Sequence, residues 1–163
     1  MVTAQDVVGW CGLRTVDFHP SHIYLMELTD YSRRFSQAVP GFAESLGAQA
    51  QDNPAFTLFY NDKPFLSFGF YEIWPGVAEG WMVPSNRIER NPIVIGKAGR
   101  AVFYHIGPSM QLRRLQFMVR SSHLQAVRFA EFVKFRREAT LKEYGPEGDD
   151  YHIFVRFYDE QRS

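Results

Sequence analysis

Three apolar runs separated by two short turns constrain this chain more than any other feature. "AFTLFYND" (55–62) and "PFLSFGFYEIW" (64–74) flank Asn61-Asp62-Lys63-Pro64, and "VAEGWMV" (77–83) follows Trp74-Pro75-Gly76. The runs are rich in aromatic and β-branched residues, which fit a pleated, half-buried surface. Turn residues between such runs predict antiparallel hairpins. Pro84 stops the third strand, because proline cannot donate to a ladder.

The remaining elements follow from periodicity. "CGLRTVD" alternates well enough for a first strand, and "HPSHIYLMELTDYSRRFSQAV" reads as one helix ended by Pro40-Gly41. "FAESLGAQAQDNP" is a short helix and loop. In "NPIVIGKAGRAVFYHIG", Asn91 is a cap, Pro92 suits the first helical position, and Ile95, Ala98 and Val102 share a face. That predicts a helix despite Gly96 and Gly99, each costing about 1 kcal/mol against alanine. "LRRLQFMV" lacks clean alternation and suits a central strand buried on both faces. "SHLQAVRFAEFVKF" is a helix with a thin polar stripe and otherwise packed, and "FRREATLKEYG" and "YHIFVRFY" are closing strands. The expected fold class is α/β (α+β): a mixed, mostly antiparallel sheet of about six to seven strands flanked by helices, in a single domain over 1–163.

Bulk properties narrow the function. Phe 15 dominates an aromatic content of 16%, so the core should be broad and layered. Formal net charge is zero, which argues against nucleic acid as a partner. One cysteine, Cys11, precludes an intrachain disulfide and points to a reducing compartment. No apolar run reaches the ~18 residues of a membrane span, so no membrane association is expected. His19 and His22 lack a third ligand, so no metal site is expected. "GKAGR" lacks the spacing of a P-loop.

The late run "HLQAVRFAEFVKFRREATLKEYGPEGDDYHIFVRF" carries a family resemblance. It resembles the Gcn5-related N-acetyltransferase (GNAT) family, with Ala126 in the alanine slot of the late helix, Phe129 in an aliphatic slot, and Phe135 opening the next strand. Element order agrees along the rest of the chain. The resemblance implies a GNAT-like fold and, if the protein is active, acetyl coenzyme A as cofactor and N-acetyl transfer as the reaction. The departures fall on the chemistry. His123 stands in place of asparagine, Ala130 in place of the tyrosine that protonates the leaving thiolate, and Lys134 in place of the glycine before Phe135. The glycine-rich diphosphate loop expected after "WMVPS" is missing.

"WMVPS" and "RTVDFHPSHIYLMEL" are also similar to small acetyltransferase-like proteins of T7-like phages linked to internal virion protein assembly. The leading expectation is therefore a non-catalytic or weakly catalytic acetyltransferase-like phage protein that acts by protein binding in virion assembly. It would sit in the host bacterial cytoplasm or in the virion, with a protein partner, and a homo-oligomer stays open. Two alternatives stand beside it: an acyl-coenzyme A-dependent N-acyltransferase acting on an amine, and a phage inhibitor of a host protein. If the protein is an enzyme, Glu79 or Glu72 is the candidate general base. Met82 and Val83 offer backbone N–H groups to a thioester oxygen, and Arg87 and Arg90 offer side chains to phosphate.

Overall fold

The computed structural model describes residues 1–158. The aromatic meander forms as expected: β2 (Ala55–Tyr60), β3 (Lys63–Trp74) and β4 (Val77–Pro84) pair antiparallel in sequence. Asn61 and Asp62 both take positive φ in the first turn, which these residue types tolerate better than most. With β1 (Arg14–Asp17), β5 (Arg114–Arg120), β6 (Arg136–Leu141) and β7 (Tyr151–Phe157) they make a seven-stranded sheet in the order β1-β2-β3-β4-β5-β7-β6. Every neighbouring pair is antiparallel except β4 with β5. A long helix, α5 (Pro92–Ser109), makes the crossover that a parallel pair requires.

Helices cover both faces. On one face α1 (Ala4–Cys11), α5 and α6 (Leu124–Phe132) pack on a core built around Phe65, Phe70, Phe103, Ile106, Leu115 and Phe154. On the other, α2 (Ser21–Leu25), α3 (Asp30–Ala38) and α4 (Phe42–Gln49) lie over a smaller cluster of Phe18, Ile23, Leu46 and Val83. Alternation along β4 turns Ala78, Gly80 and Met82 toward α5, and Glu79, Trp81 and Val83 toward α2–α4.

Four expectations are corrected. Residues 4–11 form a helix, so Cys11 ends α1 rather than starting a strand. Its start is a capping box between Thr3 and Asp6. The expected helix over 19–39 is two helices, because Met26–Leu28 run extended so that Leu28 can bridge to Ser85 beyond β4. β5 is not buried on both faces: only Leu115 is fully buried, and the other six residues, Gln116 and Met118 among them, are half-exposed. Along α6, Leu124 and Phe132 stand exposed, so that helix is packed less fully than its composition suggests.

The two glycines inside α5 have a packing reason. A Cβ on Gly99 would sit 2.8 Å from the Phe129 ring, and one on Gly96 would sit 3.0 Å from Phe132. They let α6 lie close, and Arg100 then stacks 4.0 Å over Phe132.

The helix end that follows carries a different strain. Phe135 donates its N–H to Ala130 carbonyl and Lys134 donates to Glu131 carbonyl, the paired bonds of a Schellman ending. Lys134 therefore sits at φ 73°, a left-handed position that favours glycine. Lys134→Gly is expected to stabilise the protein by about 1 kcal/mol, since a left-handed residue with a Cβ costs roughly 1–2 kcal/mol. Urea denaturation checks it, and an unchanged midpoint would contradict the assignment of strain.

Candidate active site

β4 and β5 pair over only four positions, Val77↔Arg114 to Gly80↔Phe117, and then part. Beyond Gly80, β4 continues for four residues to Pro84, and beyond Phe117, β5 continues for three to Arg120. The result is a V-shaped gap in the middle of the sheet.

The register states which backbone groups face it. Ser85 donates its N–H to Phe65 carbonyl at 3.0 Å, and opposed residues of an antiparallel ladder alternate between bonded and non-bonded pairs. Counting back along β4, Val83, Trp81 and Glu79 exchange bonds with β3, while Met82 and Gly80 turn toward β5. Pro84 has the same parity as Met82, and its missing N–H costs no ladder bond. On β5, Ser121 donates to Asp150 carbonyl and Tyr158 donates to Arg113 carbonyl. Odd-numbered β5 residues therefore bond to β7, and Met118 turns toward β4. The next rung of the parallel ladder would join Met82 N–H to Met118 carbonyl, and the strands have separated there. A donor and an acceptor face one gap with that rung open, and backbone groups of this kind rarely stay unpaired away from water.

The mouth of the gap is roofed from the α3 side. Asn86 donates its N–H to Glu27 carbonyl at 2.7 Å, tying the α2–α3 link to the tip of β4. Tyr31 of α3 shares a 2.6 Å hydroxyl contact with Tyr151 of β7 and packs on His123, ring centroids 5.0 Å apart. Arg120 lies 5.7 Å over the Tyr31 ring and pairs with Asp149 at 2.6 Å. Burial pushes the Tyr31 and Tyr151 hydroxyls above the usual phenol range, so both keep their protons at neutral pH. Burial, then the Arg120 charge, pulls His123 below its usual value.

The carboxylates proposed from the sequence separate. Glu79 lies beside Gln116 in the parallel register and opposite Tyr71 in the antiparallel one. Half-burial pushes its carboxyl above the usual range, and a hydrogen bond with Gln116 partly offsets this. Gln116 Oε1 in turn accepts from Arg114 Nε at 3.1 Å, and Arg114 holds Glu138 through both guanidinium nitrogens at 2.8 and 2.6 Å. Glu72 pairs with Ala78, which puts it on the other face, at the exposed end of β3. The structure does not bring the two together.

The proposed coenzyme contacts also divide. Met82 N–H faces the gap. Val83 does not: its ladder bonds go to β3 and its side chain is 2% exposed in the second core cluster. Arg87 is turned to the hairpin, donating to Tyr60 carbonyl at 2.9 Å and lying over the Tyr60 and Phe65 rings. Arg90 is exposed at the end of a one-turn 3-10 helix, Asn86–Arg90, that replaces the expected loop. In that turn Asn86, Ile88 and Asn91 already spend their N–H groups on Glu27, Ser85 and Ile88 carbonyls. His19 and His22 serve structure: His19 Nδ1 meets Ser21 Oγ, and His22 Nδ1 meets Thr57 Oγ1, each at 2.8 Å. Sequence reasoning missed Met118, Gln116, Tyr31 and Tyr151, whose places depend on the β4–β5 register and on a 120-residue contact that no local pattern signals.

Among the described residues, no helix is long and apolar enough to cross a membrane. No protein-family model matches the chain, and no curated protein matches it. Solved structures do. Ard1 from Thermoplasma volcanium superposes with a TM-score of 0.68 at 13% identity, covering 88% of this chain and 95% of its own. A GNAT-family acetyltransferase from Bacillus anthracis gives 0.67 at 17% identity over 89% and 94%. RimL, a ribosomal L7/L12 alpha-N-protein acetyltransferase solved with coenzyme A, gives 0.67 at 16% identity over 90% and 94%. The chain therefore has the GNAT fold, and at these identities the likeness speaks for the fold alone.

Proposed function

We propose that the protein is an acyl-coenzyme A-dependent N-acyltransferase acting on an amine at the β4–β5 gap. The open rung between Met82 N–H and Met118 carbonyl carries this reading. An acyl-bearing arm with amide groups, as coenzyme A has, can offer its thioester oxygen to Met82 N–H and an amide N–H to Met118 carbonyl there. The fit is good at that end and weaker at the phosphates, since Asn86, Ile88 and Asn91 have used their N–H groups and Pro92 has none. Phosphate would rest on side chains, Arg90 first, with Lys97 on the exposed ridge of α5.

Acetyl coenzyme A, when bound, supplies an acyl carbonyl activated as a thioester. Met82 N–H is placed to donate to a carbonyl oxygen as it gains charge. Glu79 approaches from the opposite side of the sheet and takes the proton that the acceptor amine gives up. A carboxylate whose pKa is raised toward neutrality is a better base for that task. Ala130 has no proton to give to a departing thiolate, so the reaction would be slower than one with a positioned acid.

The expected rate rises with pH through a pKa above the ordinary carboxylate range, because Glu79 must be ionised to act. Glu79→Gln should lower kcat by about 10²-fold, the usual contribution of one acid–base group. Thiol release from acetyl coenzyme A with a panel of primary amines measures it. An unaltered rate and pH profile in Glu79→Gln would remove Glu79 from the mechanism.

A second reading, a non-catalytic protein that acts by binding a partner, is favoured by two observations. Arg87 is spent on the hairpin and the diphosphate loop is replaced by a 3-10 turn. If acetyl coenzyme A does not bind, this reading takes precedence.

A further inference from the structure

The gap closes on an apolar void. Beneath Met82, toward α5, lies a cavity of about 20 Å³, room for about one water molecule or a methyl group. Its walls include Leu66, Phe68, Met82, Gly99, Phe117 and Phe129, and no polar side chain lines it. Such a space takes hydrocarbon and rejects an amine or a phosphate, which would lose hydration with nothing to replace it.

Phe117 forms the strand end of this void. It stands opposite Gly80 in the last pair before the gap opens. A Cβ on Gly80 would run into the Phe117 ring, so glycine there is what admits the ring. Phe103 and Phe135 hold that ring edge-on, each with its centroid 5.4 Å away. Phe117 is partly buried, and the two buried rings against it restrain it from swinging aside to lengthen the space.

Resting on the acyltransferase reading above, we infer that Phe117 sets the size of the acyl group, admitting acetyl and excluding longer chains. Calorimetric titration tests this with free coenzyme A, acetyl coenzyme A and hexanoyl coenzyme A. The proteins are wild type, Phe117→Ala and the milder Phe117→Leu, each checked for folding by circular dichroism. Wild type is expected to prefer acetyl to hexanoyl by about tenfold or more, the reach of misfitting methylenes in an apolar pocket. Phe117→Ala should bring the two within about threefold, as the longer chain gains burial, and Phe117→Leu should fall between.

A preference unchanged in the folded variants overturns the role of Phe117 while leaving the acyltransferase reading intact. Failure of wild type to bind any of the three ligands overturns that reading and this inference with it.

Discussion

Phe103→Ala should lower stability by about 3–5 kcal/mol, the range for truncating a buried phenylalanine. A domain of ordinary stability holds only about 5–15 kcal/mol in total, so this one change brings it near unfolding. The reason is position. Phe103 is 5% exposed on the inner face of α5, and its ring meets Phe70, Phe117 and Phe135 edge-on at 6.3, 5.4 and 5.0 Å. Each such pair adds about 0.5–1.5 kcal/mol beyond burial. Its main-chain carbonyl accepts the Tyr158 hydroxyl at 2.7 Å and is kept in the variant, so the loss reads the ring alone. Phe132→Ala is the control, because that ring is 47% exposed and lies over Gly96 and Arg100 at the surface; it should cost less than about 1 kcal/mol. Urea denaturation measures both. Equal losses would mean that the two helices share their burial differently from the packing described.

The second large effect separates neighbouring residues by parity. Val83→Pro deletes an N–H that β3 uses and removes a fully packed side chain, so it should cost about 3 kcal/mol or more. Met82→Pro removes an N–H that faces the gap, as Pro84 already does two residues later. It should fold, and be less costly than Val83→Pro by about 2 kcal/mol, the weight of a broken ladder position. Its loss should appear in ligand binding. If Met82→Pro is the more damaging of the two for stability, the register argument is wrong and Met82 N–H is a ladder donor.

Much of this architecture is legible in the residues. The meander follows from aromatic and β-branched runs broken at Asn61-Asp62 and Pro75-Gly76, and all three strands form within a residue or two of those bounds. Asn91 and Pro92 mark the start of α5, and Ile95, Ala98 and Val102 are its buried face. α1 escaped because Gly9 and Trp10 blur its periodicity, although Thr3 and Asp6 spell a capping box. The break between α2 and α3 depends on Leu28 finding Ser85, a contact 57 residues away that no local pattern signals.

The site was less legible. Glu79 and Met82 are recoverable as strand residues, but what they face depends on where β4 and β5 stop pairing. Arg87 looked like a phosphate ligand and proved to be bound to the hairpin through Tyr60, a long-range choice. Gly96 and Gly99 read in the sequence only as a cost to the helix. They are the floor on which Phe132 and Phe129 rest. Lys134 stands where the resemblance expects glycine, and it takes a left-handed φ of 73° there.

The central claim is that the gap between Met82 and Met118 receives the acyl-bearing arm of coenzyme A. Isothermal titration of acetyl coenzyme A into wild type and Met82→Pro tests it most directly. The expected result is binding near micromolar for wild type, about −8 kcal/mol, and a loss of about tenfold or more in the folded variant. Heat of dilution alone from wild type, or equal affinity in Met82→Pro, would contradict it.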